Sequence, residues 1–277
     1  MTDLLFRPFV EAALREDLRS GDITTDALIP ADLRGVAAMN FRVDGIVCGL
    51  QLAKIAFETL DLNAEIEILA GEGALVKAGD TVLRARATGR ALLSAERVAL
   101  NFVQRLSGIA TLTAQFVAET QGTKARIADT RKTTPGLRLL EKYAVKCGGA
   151  SNHRFALDDL VLIKDNHIAL CGGISQAVER ARQNIGHATK IEVECDTLVQ
   201  VKEAVFARAD ILLLDNMGPQ LLQQATQIIG GRALAEASGG VNLETVRAIA
   251  QSGVDIISVG ALTHGAKSLD IGLDVEI

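Results

Sequence analysis

Seven basic side chains crowd the stretch from Ile127 to His167: Arg131, Lys132, Arg138, Lys142, Lys146, Arg154 and Lys164. Five acids answer them, Asp129, Glu141, Asp158, Asp159 and Asp165, and two of the four histidines, His153 and His167, lie in the same stretch. The local excess is positive, although the 277-residue chain carries a net charge of −5. Cations gathered at the ends of apolar runs make a receptor for a strongly anionic ligand. Arg138, Lys142 and Lys146 fit the solvated face of a helix. Arg131, Lys132, Arg154 and Lys164 sit at strand ends or in Gly/Ser/Asn-containing loops and are the ones expected to meet the ligand.

Glu194 and Asp215 end neighbouring apolar runs farther along. In Ile-Glu-Val-Glu-Cys, Glu192 and Glu194 share one strand face. Inward carboxylates are costly unless a cation answers them. Mg²⁺ shared with a substrate's phosphates suits Glu194 and Asp215. The alternative is a structural pairing of Glu194 with Lys164 or Arg131. Ser238-Gly239-Gly240 and Gly260-Ala261 end the last two apolar runs of the set. There, glycine lets backbone N–H groups approach an oxyanion ahead of a helix, so the pair reads as a phosphate cradle. His264, one helical turn beyond Gly260, is a further donor or a surface histidine.

The chain carries no zinc-type His/Cys spacing, nucleophile elbow, Walker loop or GxGxxG. Without a nucleophile, the expected chemistry is displacement between two bound substrates, driven by positioning and electrostatics.

These residues need a scaffold that brings strand ends together. The apolar runs at 125–128, 160–163, 190–193, 211–214, 233–235 and 255–259 alternate with amphipathic stretches. The polar or glycine positions at the consecutive strand ends, Asp129, Lys164, Glu194, Asp215, Ser238 and Gly260, are spaced by 35, 30, 21, 23 and 22 positions. The last three gaps are βα units, which assemble into a barrel or a doubly wound sheet. A region of this length is short of a complete eight-stranded barrel. Six or seven strands are expected, with Asp196 and Asn242 as helix N-caps.

The first hundred residues lack that rhythm. They read as a helix at 4–18, a loop through 21–30, two strand pieces turning at Asp44-Gly45, a helix at 51–60, a half-buried strand at 64–69 and a hairpin region at 71–89. A long helix follows at 90–119, broken near Ser107-Gly108. The fold class is therefore α/β: an N-terminal α/β sandwich over 1–108, joined by the tail 269–277, and an incomplete six- or seven-stranded β/α barrel over 109–268.

Hydrophobic content of 48%, no Trp and a single Tyr call for an aliphatic core. The acidic balance and the lack of a basic arm argue against nucleic-acid binding. Cys48, Cys147, Cys171 and Cys195 are expected as reduced core thiols. No apolar run suits a membrane span and the acidic N-terminus is no signal peptide, so a cytoplasmic protein is expected.

The runs EDLRSGDITTD, LLSAERVALNFVQRLSGIAT, DTRKTTPGLRLLEKYAVKCGGASNHRF, LVLIKDNHI, IEVEC, ILLLDN, ASGGV and SVGALTH cover most of the chain in order. Together they resemble the quinolinate phosphoribosyltransferase family. The resemblance implies a dimer or larger homo-oligomer and transfer from phosphoribosyl pyrophosphate (PRPP), with Mg²⁺ and no organic cofactor, to quinolinate. The implied products are nicotinate mononucleotide, pyrophosphate and CO₂, a step of NAD biosynthesis. It assigns Arg131, His153, Arg154 and Lys164, with Thr130, to the two quinolinate carboxylates, and Arg97 to the same task in a neighbouring subunit. Lys132, within the strand-end run that includes Thr133, is assigned to PRPP. Glu194 and Asp215 are assigned to ribose and metal, and Ser238, Gly239, Gly240 and Gly260, beside Ala261 and His264, to the 5′-phosphate. Lys132, Lys164, Glu194 and Asp215 are the expected catalytic set.

The barrel pattern alone leaves other readings open. One is a phosphosugar aldolase or isomerase using Lys164 as Schiff-base amine or Glu194 as base. Another is a non-catalytic phosphate-ligand binding protein. A third is a related transferase that uses nicotinate without decarboxylation.

Overall fold

A computed structural model describes residues 3–276. The sandwich and tail expectations extend to Met1, Thr2 and Ile277, which lie outside the described residues. The chain divides into two compact units. One is Met1–Leu112 with Lys146–Gly149 and Ala266–Ile277, the other Thr113–Val145 with Ala150–Gly265.

The first unit begins with α1 (Asp3–Leu18), α2 (Ile23–Leu28), β1 (Arg34–Phe41), β2 (Gly45–Ile46) and α3 (Leu50–Leu60). It continues through β3 (Glu65–Ile68), β4 (Leu75–Val76), β5 (Thr81–Thr88) and α4 (Gly89–Glu119), whose last residues belong to the second unit. Its main sheet has the order β12-β1-β5-β3, where β12 (Ile271–Glu276) pairs antiparallel with β1. From Leu83 onward β5 alternates, with Leu83, Ala85 and Ala87 buried and Arg84 and Arg86 exposed; Val82 before them is buried as well. Those arginines stand opposite Glu67 and Glu65 on β3, so unlike charges face one another across the outer pair.

Four local expectations needed correction. The 21–30 stretch contains a helix, because the Asp22 side chain accepts the Thr25 N–H at 3.0 Å and caps α2. Asp44-Gly45 is not a hairpin turn, since β2 pairs with β4 rather than β1. For the same reason β4 and β5 form no hairpin. Helix α4 runs unbroken through Gly108, where a Cβ would lie 2.0 Å from the Lys267 carbonyl oxygen. Glycine there serves close backbone approach, not helix breaking.

The second unit is built from β6 (Arg126–Ala128), α5 (Arg138–Cys147, whose last two residues belong to the first unit), β7 (Val161–Ile163), α6 (Asp165–Cys171), α7 (Ile174–Asn184), β8 (Ile191–Cys195) and α8 (Leu198–Phe206). Then come β9 (Ile211–Asp215), α9 (Pro219–Ile229), β10 (Leu234–Ser238), α10 (Val246–Gln251), β11 (Ile256–Ser258) and α11 (Ala261–His264). The last strand, β12 (Ile271–Glu276), returns to the first unit. The six strands β6–β11 pair in parallel in the order β6-β11-β10-β9-β8-β7. This is the incomplete six-stranded β/α barrel, with β6 and β7 as its edges.

Ile191, Val193, Leu212, Leu214, Ala235, Ala237 and Ile257 are buried in its core, as a sheet covered by helices demands. The long gap after β6 is explained by Ser151, whose N–H donates to the Ile127 carbonyl at 2.9 Å, so the chain returns to β6 after α5 without building a full strand. Thr197, not Asp196, caps α8, exchanging hydrogen bonds with Gln200. The Asn242 side chain accepts from Glu244 and Thr245, serving the turn ahead of α10, whose N-cap is Thr245. No disulfide joins the four cysteines; Cys48 and Cys195 are buried, while Cys147 and Cys171 are only partly so.

Candidate active site

Because the strands are parallel and in register, with Ser238 beside Asp215, their C-terminal ends open onto one cavity of about 640 Å³. Thr130, Arg131, Lys132, His153, Arg154, Lys164, Glu194 and Asp215 line it, with Ser238, Gly239, Gly240, Gly260, Ala261 and His264. Two expected residues do not. Thr133 receives the Arg138 Nε–H at 3.0 Å. Arg97 is exposed on α4, in the first unit. His167 turns back to accept the Lys164 backbone N–H at 2.9 Å.

The loop carrying His153 and Arg154 is set from beneath by a buried ion pair. Lys142 Nζ lies 2.5 Å from Asp129 Oδ1, and both side chains are fully buried. The expectation of a solvated Lys142 is therefore wrong. Leu140, Ala144 and Val145 of the same helix are buried with it, and the cation is consumed by an internal acid. Burial opposes both charges, raising the Asp129 carboxyl and lowering the Lys142 ammonium, while their mutual attraction counters it. Asp129 also accepts from Asn152 (2.7 Å) and the His153 backbone (2.8 Å), and Lys142 donates to the His153 carbonyl (2.9 Å).

His153 Nε2 lies 3.2 Å from Glu192 and 3.4 Å from Glu236, both buried. Burial alone would lower the imidazole, but the two carboxylates outweigh it and raise His153 to about 10. The Arg154 backbone N–H points at Nδ1 from 2.8 Å, a contact that suits a neutral ring. Two carboxylates outweigh one backbone contact, so we assign the imidazolium. Glu192 is raised, first by burial and also by Glu236. Its oxygens face His153 without an aligned hydrogen bond, and the Ser258 hydroxyl donates to Glu236.

Arg131 brings Nε and Nη1 to buried positions with no hydrogen-bond partner. Arg154 is pushed down by burial and then by the neighbouring Arg131 charge, and its Nη1 donates to the Leu160 carbonyl at 3.0 Å. Two guanidinium groups held together with donors left over form a receptor for a planar, doubly charged anion.

On the far side, Lys164 Nζ pairs with Glu194 at 2.9 Å. Asp215 is raised by burial and then by Glu194 and Asp196. That crowding of acids fits a divalent cation with oxygen ligands, two from the protein and the rest from substrate and water. Gly239, at φ +92°, follows Ser238, and a Cβ there would meet Asn216 Oδ1 at 2.1 Å. At Gly260 a Cβ would stand 3.1 Å from Lys132 Cδ and 3.3 Å from His264 Nε2. Thr263 Oγ1 donates to the Lys132 carbonyl at 2.7 Å, tying the two sides of the mouth together.

Leu162, Leu213, Glu236, Val241 and Ser258 also line the cavity and were not foreseen. Four of them lie two residues before a strand-end residue that was: Leu162 before Lys164, Leu213 before Asp215, Glu236 before Ser238, Ser258 before Gly260. The period-2 rule that pairs Glu192 with Glu194 would have found them.

A parallel β/α sheet presenting a glycine cradle, a cation set and a carboxylate pair at one edge defines an enzyme class that works on phosphorylated, multiply anionic substrates. The N-terminal domain pattern of quinolinate phosphoribosyl transferase matches residues 22–107, and the C-terminal domain pattern matches 109–274. The nicotinate-nucleotide pyrophosphorylase (carboxylating) of Mycobacterium leprae is 42% identical over 275 residues, covering 97% of this chain and 96% of its own. The crystal structure of NadC from Streptococcus pyogenes superposes with a TM-score of 0.96 at 38% identity, covering 100% and 99% of the two chains. The nicotinate-nucleotide pyrophosphorylase from Francisella tularensis gives 0.95 at 38% identity, covering 100% and 98%. The chain belongs to the quinolinate phosphoribosyltransferase family. No helix among the described residues is long and apolar enough to cross a membrane.

Proposed function

We propose that this enzyme transfers the phosphoribosyl group of PRPP to the ring nitrogen of quinolinate and releases pyrophosphate and CO₂, leaving nicotinate mononucleotide for NAD biosynthesis. The observation that carries the reading is Arg131, whose buried donors have no partner in the protein, beside Arg154, His153 and Lys164. That is more positive charge than a monocarboxylate needs and suits the adjacent carboxylates of a pyridine dicarboxylate. Thr130 adds a hydroxyl to the same wall.

In this reading Ser238, Gly239, Gly240, Gly260, Ala261 and His264 hold the 5′-phosphate. Lys132 contacts PRPP, its loop neighbour Thr133 fixing Arg138 behind it. Glu194 and Asp215 face the ribose and hold Mg²⁺, which when bound neutralises the leaving pyrophosphate. As the C1′–oxygen bond to pyrophosphate breaks, positive charge grows on the sugar ring, and the Glu194 and Asp215 carboxylates stabilise it. The nitrogen lone pair then forms the new bond to C1′. The resulting pyridinium draws in the electron pair released when the adjacent carboxylate leaves as CO₂, and a proton replaces it on the ring carbon. No electron-sink cofactor is needed.

Residues 1–108 with the tail 269–277 act as the sandwich domain, and 109–268 as the catalytic barrel. The protein works in the cytoplasm as a homodimer or larger assembly, in which Arg97 completes the neighbouring subunit's quinolinate site.

The aldolase reading is less well supported: Lys164 Nζ is engaged by Glu194 at 2.9 Å rather than left free to attack a carbonyl. Incubation of the protein with quinolinate, PRPP and Mg²⁺ should yield nicotinate mononucleotide, with nicotinate a poor replacement for quinolinate. Binding without product would support the phosphate-ligand binding protein instead, and equal turnover of nicotinate the non-decarboxylating transferase.

A further inference from the structure

In the first unit, Cys48, Glu72 and Cys147 each offer a ligand atom, and the two sulfurs and the carboxylate oxygen all lie within 4.8 Å of one another. The cluster is held in place by its backbone. The Cys48 N–H donates to Ser107 Oγ at 2.9 Å, and the Ser107 hydroxyl donates back to the Cys48 carbonyl at 3.1 Å. Glu72 Oε2 accepts the Gly49 N–H at 2.8 Å and lies 4.0 Å from the Cys147 sulfur. Cys147 is the last residue of α5, and Gly73 packs against it so closely that a Cβ there would lie 3.0 Å from the Cys147 carbonyl oxygen.

The second Glu72 oxygen, Oε1, is buried and has no hydrogen-bond partner. A buried carboxylate oxygen left without a donor is unfavourable, so this position calls for a cation. Two sulfurs beside it choose the kind. Thiolates select soft and borderline ions such as Zn²⁺ over Mg²⁺ or Ca²⁺. Tetrahedral Zn²⁺ takes Zn–S of about 2.3 Å and Zn–O of about 2.0–2.2 Å, which places its ligand atoms roughly 3.5–4 Å apart.

We infer that Cys48, Glu72 and Cys147 form a structural binding site for a thiophilic divalent metal ion of the Zn²⁺ class, with water in the fourth position. The site shares no residue with the catalytic cavity, and the inference does not rest on the proposed reaction. It staples the link between β2 and α3 at Cys48, the turn at Glu72-Gly73 and the C-terminus of α5. Binding displaces the thiol protons, so uptake strengthens as pH rises.

The test uses the full-length protein, reduced and stripped with a chelator, then titrated with Co²⁺ as a spectroscopic substitute for Zn²⁺. The expected result is one equivalent bound with thiolate-to-cobalt charge-transfer absorption, bleached by one equivalent of Zn²⁺, in the wild type and in Cys171→Ser. Cys48→Ser and Cys147→Ser should lose the absorption and bind about 100-fold more weakly, and Glu72→Gln about 10-fold more weakly. Zn²⁺ should raise the melting temperature of the wild type and Cys171→Ser only. If Cys48→Ser fails to fold, Cys147→Ser and Glu72→Gln decide the matter. Absence of thiolate absorption in the reduced wild type, or absorption unchanged in Cys147→Ser and Glu72→Gln, would overturn the inference.

Discussion

The imidazole of His153 lies against the buried carboxylate of Glu192, Nε2 to Oε2, at 3.2 Å, with Glu236 at 3.4 Å on the same nitrogen. The two acids hold a proton on His153 that an unfolded chain would release near the ordinary histidine value of 6.5. Between there and about pH 10 the folded state binds more protons than the unfolded one, so stability falls as pH rises. The contribution is complete below pH 6.5 and gone above the folded value. Urea unfolding at stepped pH should show a decline no steeper than about 1.4 kcal/mol per pH unit from this group. His153→Gln should flatten it; an unchanged slope would remove His153 as its source.

Arg154 faces the cavity with one donor already committed to the Leu160 carbonyl. Arg154→Ala should weaken quinolinate binding 10-fold or more, about 1.4 kcal/mol, and leave PRPP binding nearly intact. Calorimetry with each ligand separately makes the comparison, and equal losses would contradict the assignment.

Gly239 has no room for a methyl group, since Asn216 Oδ1 would stand 2.1 Å from it and φ is +92°. Gly239→Ala should therefore displace the loop at the phosphate cradle, costing about 1–3 kcal/mol of strain. PRPP affinity should fall at least tenfold while quinolinate affinity changes little. Unaltered PRPP binding would place the phosphate elsewhere.

Lys142 and Asp129 are both fully buried, so removing one partner strands the other. Lys142→Met should cost about 3–5 kcal/mol in chemical denaturation. Asp129→Asn combined with Lys142→Met should recover part of that loss. Activity should stay low in the double variant, because the His153 loop loses its anchor.

Arg97 is exposed on α4, and the proposed role requires a second subunit. Arg97→Ala and Lys164→Ala proteins, each inactive alone, should regain activity when mixed, because a hybrid dimer contains one site with neither change. Verified hybrids without activity would take Arg97 out of the neighbouring site.

Much of this architecture is legible in the chain because its signals are local. The apolar runs, their βα spacing and the polar residue after each run predict both the parallel sheet and the residues at its mouth. Lys142 misleads because periodicity assigns a helix face but cannot say that Asp129, thirteen residues away, waits beneath it. Gly108 reads as a helix break because its reason, the Lys267 carbonyl, lies far off in the chain. The β2–β4 pairing escaped because each strand has two residues, too few for a pattern. Glu236 and Ser258 were within reach, one pleat below the strand-end residues.

The most direct test of the central claim follows quinolinate labelled in the carboxylate adjacent to the ring nitrogen. Labelled CO₂ should appear only when PRPP and Mg²⁺ are both present, in equal amount to pyrophosphate and nicotinate mononucleotide. Label retained in the product, or released without PRPP, would contradict the account.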